Sequence, residues 1–179
     1  MNAKPPGRVL WLYGLSGAGK STLASQVAQR LQASGGSALI LDGDALRSGL
    51  CQDLGFTAED RHENVRRAAE LARLLCMQGH VVISALMTPH QSMRQLARSI
   101  VGDAMFYEVY LRCDYATCAQ RDPKSLYRRA ETGETNHFPG KDMPFEEPLQ
   151  PDLILETDRT SITDCVEILL KAKGLRITD

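Results

Sequence analysis

Nowhere does an apolar run approach the length that crosses a bilayer. The longest, at 80–87 and 9–13, fall far short of the ~20 residues a membrane helix requires. No charged, then apolar, then small-residue pattern opens the chain, so a cytoplasmic location is expected. Cysteine is sparse and irregular: five residues, Cys51, Cys76, Cys113, Cys118 and Cys165, without C-x-x-C spacing. That argues against a disulfide framework and a thiolate zinc site alike and leaves these side chains as small apolar fillers. Four histidines at 62, 80, 90 and 137 are too scattered to form a ligand cluster. Strong charge of one sign is also missing. With a net charge of −1 there is no global attraction to nucleic acid or an anionic membrane, so any anion binding must be local and the partners are expected to be small molecules. There is no internal repeat and no low-complexity tract beyond the leader Lys4-Pro5-Pro6-Gly7, and 179 residues with 43% hydrophobic content suit one domain over 1–179.

Against those absences stands one complete motif. Gly14-Leu15-Ser16-Gly17-Ala18-Gly19-Lys20-Ser21-Thr22 matches G-x-x-x-x-G-K-[ST] and lies between the apolar run Val9–Tyr13 and a segment of helical spacing, Ser21–Leu31. The glycines let successive backbone N–H groups turn inward around phosphate oxygens, where a Cβ would obstruct the turn. Lys20 adds a cation for the β- and γ-phosphates, Ser21 offers a hydroxyl to Mg²⁺, and the start of the following helix favours the anion. The chain is therefore expected to bind ATP with Mg²⁺.

Further strand-like runs at 37–41, 80–87, 104–112 and 152–157 alternate with helical candidates at 21–33, 59–77, 91–101, 115–121 and 161–173. That alternation predicts an α/β fold: a P-loop NTPase-type five-stranded parallel sheet with helices on both faces. One segment, about 122–151, departs from it, with four prolines after position 138 and a short helical stretch at 124–132. A long irregular stretch inside a compact domain is commonly functional. Because it carries Arg128 and Arg129, it is read as a mobile lid over bound phosphates, the alternative being an ordinary solvated loop.

Ligands of open parallel sheets sit beyond the carboxyl ends of the strands, so the residues that follow each strand are the informative ones. The second strand runs into Asp42-Gly43-Asp44-Ala45-Leu46-Arg47. Two carboxylates separated by a glycine can approach the γ-phosphate and Mg²⁺ from the side opposite the loop, and Arg47 can hold a second anion; a helix-capping turn explains the same residues. Further on, Arg61 and Asn64 are three apart at a helix start and share one side of its first turn, suited to a phosphate and a base edge or to a solvated face.

Taken in order, GLSGAGKST at 14–22, LDGDALRSGL at 41–50, DLGFTAEDRHENVRR at 53–67, EVYLRC at 108–113, RDPKSLYRRAETGE at 121–134 and FPGKDMPFEEP at 138–148 resemble the adenylylsulfate kinases over nearly the whole chain. The resemblance implies transfer of the γ-phosphate of ATP to the ribose 3′-hydroxyl of adenosine 5′-phosphosulfate, in a homodimer. It implies that Asp44 faces that hydroxyl and Mg²⁺ with Asp42 nearby, and that Phe56 and Phe138 sandwich the acceptor adenine. Arg47, Arg61 and Asn64 would hold the phosphosulfate and adenine edge, Met87 and Thr88 would contact substrate, and Lys124 with Arg128 would approach ATP.

The chain departs from the family at four informative positions. Thr88 stands where the family has a serine discussed as a phosphoenzyme position, and Gln91 where it has a basic residue. In the lid, Ser125 replaces a glycine, and Pro139 replaces a threonine with a stiffer residue that lacks an N–H. Direct transfer, with Thr88 as a substrate contact, is the expected route. A same-fold kinase for another nucleotide, such as a CDP derivative, remains open from these substitutions. A non-catalytic nucleotide switch is disfavoured, because Gly140-Lys141-Asp142 lacks the asparagine of an N-K-x-D base reader.

Overall fold

Strand β1 (Arg8–Tyr13) is buried at every residue after Arg8, as a strand covered on both faces requires. It occupies the middle of a five-stranded sheet of order β2-β3-β1-β4-β5, the others being β2 (Ala38–Asp42), β3 (Val81–Ala85), β4 (Phe106–Arg112) and β5 (Leu153–Glu156). All four pairings are parallel. The computed structural model describes residues 7–122, 125–132, 138–141 and 143–172.

Alternation along β1 divides the core in two. Leu10 and Leu12 join the layer of α1 (Lys20–Ala33) and α7 (Ile162–Lys171), while Val9, Trp11 and Tyr13 join that of α3 (Ala58–Met77) and α4 (Gln91–Val101). In α1, Leu23, Val27 and Leu31 recur every fourth residue and are buried; each contributes about 1.5–3 kcal/mol. Helix α3 starts at a Thr57 cap that accepts from the Asp60 N–H, with Glu59 and Asp60 favourably placed in its first turn.

The expected five strands and their covering helices are all present. A short helix α2 (Gly43–Arg47) is added after β2, capped by Asp42 as the turn alternative anticipated. Strand β3 stops at Ala85, two residues early, where its pairings with β1 and β2 end, and Arg94 of α4 holds the loop that follows. Its Nη1 donates to the carbonyls of Thr88 at 2.9 Å and Pro89 at 3.3 Å.

Between β4 and β5 come α5 (Tyr115–Arg121), α6 (Leu126–Glu131) and the segment that returns at Phe138. Ser125, which caps α6, has φ 53 and ψ 26, the left-handed region that favours glycine. A side chain there costs about 1 kcal/mol. Ser125→Gly is expected to raise the melting temperature by roughly 2–4 °C, less the extra freedom glycine gives the unfolded chain. Differential scanning calorimetry checks this, and a lowered midpoint would show that Ser125 is not strained.

Candidate active site

The loop between β1 and α1 curls around Lys20, whose Nζ donates to the carbonyls of Gly14 at 2.9 Å and Leu15 at 2.8 Å. Ala18 N–H closes a turn on the Leu15 carbonyl at 3.1 Å. Gly17 has φ 79, and a Cβ there would meet the carbonyl oxygen of Cys118 at 2.6 Å, so loop and α5 touch backbone to backbone. Two further side chains hold loop carbonyls from outside: Tyr127 Oη donates to Ser16 at 2.7 Å and Arg121 Nη1 to Gly17 at 3.4 Å. No side chain caps α1 at Gly19, which leaves its leading N–H groups for an anion.

At the end of β2, Asp42 uses both carboxylate oxygens. Oδ1 accepts from the Asp44 N–H at 2.9 Å, and Oδ2 accepts from the Ser21 hydroxyl at 2.6 Å. Asp44 lies in the first turn of α2 and lines the same cavity. Among the described residues no group of three or more His, Cys, Asp or Glu could hold a metal by itself. One hydroxyl and two carboxylates are instead the hard, incomplete oxygen set that suits Mg²⁺, which keeps waters and takes its remaining ligands from substrate phosphates.

The other end of the cavity, whose volume is about 950 Å³, is built around Phe56. Its ring is 58% exposed, with the guanidinium carbons of Arg47 and Arg61 at 4.5 and 5.4 Å from its centroid. Burial lowers the pKa of both arginines, and for Arg61 the neighbouring charge of Arg47 lowers it further. Two neighbouring, partly desolvated guanidinium groups on the cavity wall suit an anionic group of a ligand. Arg47 also donates to the carbonyls of Leu54 and Gly55, and Arg61 to that of Phe56, so both brace the turn that presents the ring. Beneath them Asn64 is 5% exposed, and its Oδ1 has no hydrogen-bond partner. A buried acceptor left unpaired costs about 1–3 kcal/mol, so one that lines a cavity marks where a ligand donor belongs.

The cavity brings together residues 16–22, Asp42, Asp44, Arg47, Phe56, Arg61, Asn64, Met87 and Phe138. Gly14 and Leu15 contribute through the carbonyls that hold Lys20. Two expectations need correction. Thr88 is 0% exposed, and its hydroxyl accepts from Trp11 Nε1 at 3.3 Å, so it supports the site from below and offers no hydroxyl to substrate or phosphate. Arg128 is exposed and outside the lining; in α6 the inward positions are Tyr127 and Ala130, three apart, which turns Arg128 and Arg129 to solvent. Lys124 lies outside the described residues. Gln91, read as a missing charge near the acceptor, binds Arg94 through Oε1 and Glu146 through its N–H, away from the cavity.

Sequence reasoning missed the wall formed by Arg121 and residues 157–162. The signal was available, since Thr157–Ser161 directly follow β5 just as Asp42–Asp44 follow β2.

The model of one family, adenylylsulphate kinase, matches residues 6–156. A Paraburkholderia xenovorans adenylyl-sulfate kinase is 51% identical over 164 residues, 92% of this chain and 91% of that protein. One from Bacillus licheniformis is 47% identical over 163 residues, 91% of this chain and 83% of its own. Among solved structures, the Mycobacterium tuberculosis APS kinase CysC in complex with AMPPNP and APS superposes with a TM-score of 0.91 at 44% identity, over 94% of this chain and 98% of that one.

Proposed function

This chain belongs to the adenylylsulphate kinase family, and from that premise we propose how its cavity divides the work of moving the γ-phosphate of ATP to the ribose 3′-hydroxyl of adenosine 5′-phosphosulfate. The membership sets aside the cytidine-nucleotide kinase and the non-catalytic switch. Residues 14–22 cradle the donor phosphates, with Lys20 leaving its loop carbonyls for the β- and γ-oxygens. Arg121 and Thr157–Ser161 flank the rest of the donor nucleotide.

Phosphoryl transfer passes through a loose transition state, so alignment matters more than early proton removal. Asp44 orients the 3′-hydroxyl and takes its proton as the bond to phosphorus completes. When bound with the nucleotide, Mg²⁺ supplies charge neutralisation on the phosphates; Ser21 and Asp44 would hold it, with Asp42 fixing the Ser21 hydroxyl. The phosphosulfate sits against Arg47 and Arg61, and the acceptor adenine between Phe56 and Phe138, a stack of ~1–3 kcal/mol per base. The chain acts as one kinase unit, as a homodimer in the cytoplasm; among the described residues no helix is long and apolar enough to cross a membrane.

The observation that carries the acceptor assignment is the unpaired Asn64 Oδ1. It awaits a donor, and the exocyclic amine of adenine is one. Replacing that amine by the oxo group of hypoxanthine in the acceptor is expected to lower kcat/KM by roughly 10- to 100-fold, and Asn64→Ala should erase most of the difference. Steady-state kinetics with both acceptors decides it: equal use of the two by the unaltered enzyme would remove Asn64 from base recognition.

A further inference from the structure

We propose that Tyr127 is a positioning residue that couples the donor and acceptor halves of the site, its hydroxyl fixing one peptide of the phosphate loop while its ring seats Phe138. The inference rests on the functional reading above, in which the loop binds ATP and Phe138 faces the acceptor adenine.

Tyr127 is buried and makes two kinds of contact in different directions. Its Oη donates to the Ser16 carbonyl at 2.7 Å. In a planar trans peptide the carbonyl and the following N–H point opposite ways. Holding Ser16 C=O toward the lid therefore turns Gly17 N–H toward the cavity that both residues line. Arg121 holds the next carbonyl, that of Gly17, at 3.4 Å, so α5 and α6 each hold one of two successive peptides of the loop. Burial, then the nearby Cys118 thiol, raises the pKa of Tyr127, which keeps the hydroxyl a donor at any working pH.

The ring does the second task. Phe138 meets it edge to face at 4.8 Å and 77°, and Tyr115 supports it at 5.1 Å and 73°. Phe138 thus reaches its place at the cavity wall by leaning on the same side chain that orients the phosphate loop. The tyrosine is itself fixed: Asp122 accepts from the N–H groups of Tyr127 and Arg128, each at 3.2 Å. Nucleotide that engages Gly17 N–H favours the loop conformation in which Ser16 meets Tyr127, and that conformation seats Phe138 for the acceptor. Two sites that bias one element are coupled, and the coupling is reciprocal.

The test is Tyr127→Phe, which keeps the ring and deletes the hydroxyl. Calorimetry gives the dissociation constant of adenosine 5′-phosphosulfate with and without a saturating non-hydrolysable ATP analogue; the ratio measures the coupling. In the unaltered protein the acceptor should bind several-fold tighter with the analogue present. In Tyr127→Phe that ratio is expected to fall by about three- to tenfold. Acceptor affinity without nucleotide should be unchanged, because Phe138 keeps its seat. A ratio of one in the unaltered protein, or an equal ratio in the variant, overturns the proposal. Lys20→Ala and Phe138→Leu separate this from a failure of the site reading: the first must weaken the analogue and the second the acceptor, and if either does not, the reading beneath the proposal has failed instead.

Discussion

Asp44→Asn is expected to lower the turnover of adenosine 5′-phosphosulfate by on the order of 10³-fold while leaving the affinity for an ATP analogue within a few-fold. The substitution separates charge from shape. Asp42 anchors position 44 through its backbone N–H, which asparagine retains, and Asp42 continues to hold Ser21. What disappears is the carboxylate to which the proposal above gives the alignment of the acceptor hydroxyl, the receipt of its proton and a hard oxygen beside Ser21. Single-turnover transfer from labelled ATP, with calorimetric titration of the analogue, gives the two quantities separately. A turnover within tenfold of the unaltered enzyme would show that Asp44 does not face the reacting hydroxyl.

The largest expected loss of stability lies outside the cavity, at Glu108. Arg94 is 0% exposed, with its Nε 3.8 Å from a Glu108 oxygen and its guanidinium carbon 5.0 Å from the centre of the Tyr13 ring. Tyr13 Oη donates to the same carboxylate at 2.7 Å, and Arg98 approaches its other oxygen at 3.2 Å. Replacing such a carboxylate leaves the buried Arg94 without its counter-charge and the buried Tyr13 hydroxyl without its acceptor, at a cost of about 3–5 kcal/mol. Glu108→Leu should therefore unfold roughly 6–20 °C lower. Glu108→Gln, which still accepts from Tyr13, should lose less. Trp11, the sole tryptophan, is fully buried 5.7 Å from Phe106 in the same layer, so its fluorescence in a urea titration reports the transition. A loss below about 1 kcal/mol would mean the charges relax onto other partners.

The same network explains why some of this site could be read from the chain and some could not. The loop, its Lys20 and Ser21, and the pair Asp42 and Asp44 are local patterns whose geometry follows from neighbours in sequence. Asn64 was legible because helical spacing puts it on the side of Arg61. Thr88 was misplaced because its role came from its alignment with a family hydroxyl, whereas its orientation is set by distant contacts, with Arg94 holding its carbonyl and Trp11 its hydroxyl. Arg128 was misplaced because its charge and the family resemblance suggested phosphate, whereas Tyr127 and Ala130 decide which side of α6 faces inward. Thr157–Ser161 carry no motif. They join the site because β5 pairs with β4, next to the strand that launches the loop.

The backbone contact between Gly17 and Cys118 also limits which parts of this chain are free to change. Loop and α5 leave less room than one methyl group between them, and what a side chain at position 17 would strike is backbone, which cannot turn aside as a flexible side chain can. With φ 79 adding its own demand for glycine, position 17 is closed to every side chain, so drift in this enzyme's sequence can vary what surrounds the nucleotides but not the seam between loop and helix.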